Sequence, residues 1–66
     1  MTKDEVESLP TGTTMFDESD GELGVLVNTV FHEKGKLKTF RKIKWDDGCV
    51  TIVTCDQDVK TVRPAK

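Results

Sequence analysis

Two cysteines, one histidine and a loop of four carboxylates are the side chains of this 66-residue sequence with chemistry to offer. Cys49 and Cys55 read as lying on one extended strand, which at ~3.3 Å per residue sets them about 20 Å apart, well beyond the ~4.4–6.8 Å between Cα atoms that a disulfide allows. They are expected as free thiols, which fits a reducing compartment. A zinc site needs a tighter cysteine knuckle and more than the single His32. The loop from Asp17 to Glu22, DESDGE, brings Asp17, Glu18, Asp20 and Glu22 together, as acid–base chemistry or calcium binding would require. An EF-hand loop also needs a bidentate Glu at its twelfth position, and counted from Asp17 that position is Asn28, inside a strand. No Ser-His-Asp or Cys-His set has supporting spacing, and no glycine-rich phosphate loop precedes a helix. These residues point to a solvated acidic loop, and away from an enzyme, a metal site or a bound cofactor.

The element that must position most of these groups is the stretch from Phe40 to Cys55, FRKIKWDDGCVTIVTC. Asp47-Gly48 is the pair favoured for a two-residue type I′ turn, in which both central residues need φ > 0. That turn sets Trp45 opposite Val50, Lys44 opposite Thr51, Ile43 opposite Ile52 and Lys42 opposite Val53. Trp45, Val50, Ile43 and Ile52 then form the interior. Lys42, Lys44, Thr51 and the cysteines face out, with Phe40 and Val53 as apolar exceptions. A slip of one residue would set Ile43 against Thr51 and Ile52 against a lysine, so the two-residue turn is the expected one. Finding the four interior side chains on opposite sides of the sheet would remove both the barrel and its assignment of faces.

Before this hairpin, Thr2-Lys3-Asp4-Glu5 matches a capping box, followed by one or two helical turns with Val6 and Leu9 on one side, or by a frayed acidic tail. Thr13 to Phe16 is a short first strand, and Leu23 to His32, LGVLVNTVFH, a long second one. The second strand has two registers open. In the preferred one Val25 and Val27 point inward while Leu26, Val30 and His32 point outward; in the other, Leu26 meets Ile43. Gly35 supplies the turn in EKGK, Leu37 to Trp45 is the third strand and Cys49 to Thr54 the fourth. Asp56 to Val59 reads as one helical turn, and Thr61 to Arg63 as a last strand stopped by Pro64.

A chain of this length is one domain near the lower limit for an unaided core. That length leaves no room for a deep catalytic cleft as well, and a hydrophobic fraction of 35% beside 33% charge describes a soluble, highly charged small domain. With Gly24 set aside, the longest apolar run is about four residues, far below the ~20 that span a bilayer. No basic start and apolar stretch mark a secretion signal, so a cytoplasmic location without membrane contact is expected. The net charge of −2 hides a segregation: residues 1–23 carry −6, residues 24–45 carry +5 and residues 46–66 carry −1. Such a dipole bears on association more than on fold.

The order of these elements resembles the SH3-like barrel superfamily, its Tudor and KOW-like members above all. The residues that carry the likeness are Asp20-Gly21-Glu22-Leu23-Gly24-Val25, Ile43-Lys44-Trp45-Asp46-Asp47-Gly48, and Asp58-Val59 with Val62-Arg63-Pro64. It implies an all-β, five-stranded SH3-like barrel over residues 10–64, with residues 1–9 as an acidic tail or short helix and 65–66 as a C-terminal tail. Tudor-type members bind methylated Lys or Arg in an aromatic cage, for which Trp45 is placed but Phe16, Phe31 and Phe40 are a poor complement. KOW-type members contact nucleic acid, and here the likeness points at Lys34, Lys36, Lys38, Arg41, Lys42 and Lys44, a basic stripe able to neutralise phosphates. Lysines on a sheet also serve solubility and edge protection.

The apolar exceptions on the outer face suggest a third function. Phe40 and Val53, with Leu26 and Val30 in the preferred register, form an apolar patch rimmed by Lys42, Lys44 and Lys38, as a protein contact would require. Its occupant is another protein, another copy, or the chain's own N-terminal turn folding over with Val6 and Leu9. The leading expectation is therefore a non-enzymatic binding or regulatory module with a protein partner, for instance a small viral or phage accessory protein. Nucleic-acid binding is the alternative.

Overall fold

The computed structural model describes residues 1–65, and in them five antiparallel strands form one curled sheet, a half-barrel. The strands are β1 (Thr14–Asp17), β2 (Glu22–Glu33), β3 (Lys36–Trp45), β4 (Val50–Val53) and β5 (Val62–Pro64), in the order β4-β3-β2-β1-β5. The two end strands do not pair with each other. The gap between them is closed by α1 (Lys3–Glu7) and a 3₁₀ turn at Asp56–Val59. Val6 of the helix and Val59 of the 3₁₀ turn complete a fully buried core with Met15, Leu26, Ile43, Val53 and Val62. Of the expected C-terminal tail, Ala65 donates its amide to Thr14 O at 2.8 Å, and residue 66 lies outside the described residues.

A helix of five residues does not persist in water alone, so its order has tertiary causes. The capping box forms at its start: Thr2 Oγ1 accepts from the Glu5 amide at 3.2 Å, and the Thr2 amide donates to Glu5 Oε1 at 2.8 Å. The Lys3 amide donates to Asp56 Oδ1 at 2.8 Å. At the other end Arg41 donates to the carbonyls of Glu7 (3.2 Å) and Leu9 (2.8 Å), satisfying groups that a helix end leaves open. Val6 and Leu9 pack with Leu26 and Val53, two members of the expected patch, so the segment does fold over them, but on the inner face of the sheet and not the outer one.

The Asp47-Gly48 turn differs from expectation, and the difference inverts β4. Gly48 has φ 92°, but Asp47 does not have positive φ. The Gly48 amide donates to Trp45 O at 3.0 Å and the Trp45 amide to Cys49 O at 2.9 Å. The loop thus has three residues, Asp46 to Gly48, a type I turn followed by a left-handed glycine. Asp47 Oδ1 also accepts the Cys49 amide at 2.8 Å, which holds the loop closed. One added residue shifts the register to Lys44–Val50, Ile43–Thr51, Lys42–Ile52 and Arg41–Val53. Ile43 and Trp45 consequently lie on the opposite side of the sheet from Val50 and Ile52. The sheet survives because Val53 takes the interior place expected for Ile52. In β2 the less favoured register holds, with Leu26 opposite Ile43 and Val25 and Val27 facing out.

The turn between β2 and β3 is the two-residue type I′ turn, at Lys34 (φ 51°) and Gly35 (φ 75°). Because β1 and β4 are short, the ends of β2 and β3 beyond them project as a two-stranded ribbon, along a molecule measuring 38 × 24 × 20 Å. The 3₁₀ turn at the far side is fastened by Asp58, whose Oδ2 accepts from the Thr54 amide (2.8 Å), the Thr54 hydroxyl (2.7 Å) and the Cys55 amide (3.2 Å). The bonds from Thr54, ahead of those from Cys55, hold the Asp58 carboxyl below its ordinary pKa. A depressed carboxyl stabilises the fold above its unfolded value and ceases to do so as pH falls through its folded value. Asp58→Ala is expected to cost about 1 kcal/mol at neutral pH. Urea unfolding should find that gap narrowing as pH falls below the ordinary carboxylate value and vanishing once the carboxylate is protonated in both states.

Candidate docking face on the outer sheet surface

Side chains alternate along a strand, so the pairs Val25–Lys44, Val27–Lys42, Thr29–Phe40 and Phe31–Lys38 all stand on the outer face, away from the core. β4 adds Val50 beside Lys44 and Ile52 beside Lys42. Val25, Phe31, Val50 and Ile52 are exposed, while Val27 and Phe40 are half-buried by their neighbours. The Phe31 and Phe40 rings meet edge to face, with centroids 5.7 Å apart at 65°, as their quadrupoles favour. Beside them, Lys38, His32 and Glu33 complete the lining of a shallow open depression of about 310 Å³.

Lys36, Lys38, Lys42 and Lys44 form a row through this apolar surface, all at even positions of β3. Lys38 Nζ pairs with Glu33 Oε1 at 2.8 Å. The other ion pairs among the described residues are Lys3–Glu7 and Arg63–Glu18, so Lys36, Lys42 and Lys44 have no carboxylate partner. Glu33, opposite Lys36, is the one acidic side chain among the described residues that β2, β3 and β4 place on this face. The face is apolar and positively charged at once.

The expected protein-binding set is brought together only in part. Phe40, Lys42 and Lys44 are on the outer face. Leu26 and Val53 are fully buried in the core, and Val30 is on the opposite side of the ribbon. The residues missed are Val25, Val27, Phe31, Val50 and Ile52; a three-residue reading of the Asp46-Asp47-Gly48 loop would have found the last two. Of the basic set, Lys36, Lys38, Lys42 and Lys44 share the outer face and Lys34 sits in the ribbon turn. Arg41 is on the inner face, holding α1, and is corrected as a nucleic-acid contact.

Trp45 is also on the inner face. Its Nε1 donates to Thr51 Oγ1 at 2.8 Å, and its ring lies against the backbone of Gly24. Phe16, Phe31 and Phe40 are all on the outer face, so no group of rings converges on Trp45. Arg63 stacks over Phe16 instead, 4.8 Å from its centroid.

The carboxylates of the acidic loop have structural partners. Asp17 Oδ1 accepts from the Ser19 hydroxyl (2.7 Å), the Ser19 amide (2.9 Å) and the Thr61 hydroxyl (2.8 Å), and the Ser19 bonds above all hold its pKa below the ordinary value. Asp20 accepts the Glu22 amide, Glu22 accepts the Asp47 amide, and Glu18 pairs with Arg63. Cys49 and Cys55 are free and exposed. The Asp47 carboxylate, by hydrogen bond and by charge, raises the Cys49 pKa and disfavours its thiolate. Among the described residues no group of three or more His, Cys, Asp or Glu is placed to hold a metal ion, and no helix is long and apolar enough to cross a membrane. In comparisons with known proteins, no family model, no curated protein and no solved structure matches the chain.

Proposed function

We propose that this chain is a non-enzymatic binding module that takes a protein partner on the outer face of β2, β3 and β4. The observation that carries the reading is the set of unpaired lysines, Lys42 and Lys44, standing within an apolar surface of exposed Val25, Phe31, Val50 and Ile52 and half-buried Phe40. Apolar area supplies a driving force for contact, aromatic side chains act as anchors, and uncompensated charge selects the sign of the partner. The fitting partner presents apolar side chains flanked by carboxylates. The strand order and the 3₁₀ turn before β5 agree with the SH3-like barrel that the sequence resembles, and an accessory role of the viral or phage kind suits a module of this size. That part is analogy of fold, and the surface carries the functional argument.

Phe40→Ala, and separately Lys42→Glu with Lys44→Glu, are each expected to weaken capture of the natural partner by about tenfold or more. Binding of an identified partner that is indifferent to both would refute the assignment of this face. A second reading has one favouring observation: four lysines share the face with Phe31 and Phe40, an arrangement able to follow a phosphate backbone and stack bases. Retention on single-stranded nucleic acid that falls steeply with salt and with the double lysine variant would support it instead.

A further inference from the structure

β2 offers more backbone than its neighbours use. The Leu26 amide donates to Thr13 O at 2.9 Å, and Leu26 O accepts from the Gly12 amide at 2.7 Å, while Leu23 O accepts from the Asp46 amide at 3.0 Å. Even-numbered residues of β2 therefore turn their amide and carbonyl toward β1, and odd-numbered ones toward β3. The β2–β3 register runs unbroken from Gly24–Trp45 to Glu33–Lys36, so the alternation continues past the end of β1. Asn28, Val30 and His32 accordingly hold their backbone groups out along an edge with no backbone partner between Leu26 and the turn at Lys34, its near end touched only by Thr11, whose Oγ1 accepts from Asn28 Nδ2 at 3.5 Å.

Free edges are ordinarily guarded, and one side of this ribbon is. The β3 edge, at Leu37 and Thr39, is flanked by Lys36 and Lys38, charges that discourage strand addition. The β2 edge carries a charge only at its turn end, where Glu33 follows His32, and none beside Asn28 or Val30. Val27 to Glu33, VNTVFHE, contains no lysine, proline or bulge, and it is rich in residues that favour strands. Val30 at its middle is 50% exposed.

We propose that this edge pairs with a second copy of the chain, the two β2 strands running antiparallel about a two-fold axis at Val30 and joining two sheets into one. The lengths favour a copy over a foreign strand. Leu26, the last residue bonded to the segment before β1, and Lys34, the first of the turn, are each four positions from Val30. A rotation about Val30 brings Lys34 of each copy level with Leu26 of the other, against Gly12 and Thr13, so the paired stretch runs from Val27 to Glu33 and ends where the segment before β1 begins. Even residues meet even residues, Asn28 facing His32 and Val30 facing its own counterpart, so every outward-turned backbone group finds a partner. Charge agrees with this pairing. Glu33, the one acidic residue of the stretch, falls opposite Val27. Lys34 of each copy approaches the acidic α1 of the other, because Arg41, across from Asn28, holds the carbonyl of Glu7. The outer face is unsuited to the same role, since a two-fold there would set its lysine row against its own copy. The proposal uses a different surface from the docking face and stands independently of it.

The test is sedimentation velocity on the full chain, joined to amide exchange followed by NMR. The expected result is a mass rising with concentration from 7.4 kDa toward twice that value. Protection of the Asn28, Val30 and His32 amides should rise in parallel, while those of Val27, Thr29 and Phe31 are protected throughout. Val30→Pro removes an amide that bonds nothing within the monomer, and should raise the dimer dissociation constant about tenfold or more through two lost hydrogen bonds. Val30→Lys, a second variant at an exposed side chain, should weaken the dimer by setting like charges face to face. Lys42→Glu with Lys44→Glu should leave it intact. A chain that stays monomeric up to about 1 mM would overturn the proposal. So would a dimer unaffected by both Val30 variants, or one lost through Phe40→Ala, which would place the contact on the outer face.

Discussion

Leu26→Ala is expected to lower stability by about 2–5 kcal/mol, the usual loss when a buried leucine leaves a cavity in a packed core. Leu26 is fully buried, opposite Ile43 and enclosed with Met15, Val53 and Val59. At ~0.05–0.15 kcal/mol per residue, a chain of this length has a total stability of roughly 3–10 kcal/mol, so the variant stands near the point of unfolding at room temperature. Val25→Ala, one position away on the outer face, should stay within about 0.5–1 kcal/mol of the wild type. Urea denaturation measures both, and the informative quantity is a shift of midpoint at constant slope. Equal effects, or a larger one at Val25, would mean that the interior and exterior of β2 are exchanged.

Gly24→Ala should be nearly as severe, although it adds a single methyl group. That methyl would stand 2.7 Å from Trp45 Cε3, 2.9 Å from Ile43 Cγ2 and 2.9 Å from the Lys44 carbonyl oxygen. The first two neighbours belong to side chains already packed against the core, and the third is backbone in the partner strand. Relief requires β2 and β3 to separate where they pair, or Trp45 to leave its bond to Thr51. A cost of about 3 kcal/mol, at the upper end for overpacking, follows from that choice. It should appear in the same denaturation measurement, with altered Trp45 fluorescence if the ring moves. An unchanged midpoint would mean that the ring does not rest on this glycine.

Turn chemistry made much of the fold legible. Thr2 and Glu5 announced the capping box, Gly35 the ribbon turn, Asp56 to Val59 the 3₁₀ turn, and Pro64 the end of the last strand. Interior and exterior were not legible by the same means. Val25-Leu26-Val27 and Val50-Thr51-Ile52-Val53 place apolar residues on both faces, so alternation favours neither register. Asp46-Asp47-Gly48 suits a two-residue or a three-residue loop, and the choice rests on long-range contacts: Trp45 over Gly24, and the indole bonded to Thr51. Arg41 was misleading for a related reason. A cation on the inner face is acceptable there because Glu7 at the end of α1 and Leu9 just beyond it turn their carbonyls toward it, and no local pattern announces that. The docking face inherited the error, keeping Phe40, Lys42 and Lys44, which depend on β3 alone, and losing Leu26 and Val53, which depend on how β3 meets its neighbours.

The placement of α1 has a consequence for assembly. Its amide contact with Asp56 joins residues 53 positions apart, and Val6 meets Val59 across a similar span. Loops that long close slowly, and five helical residues have no independent stability while they wait. The opening segment of the chain, though synthesised ahead of every strand, can make these contacts only once Asp56–Val59 has reached the sheet, and the hydrophobic interior is open to water on one side until it does.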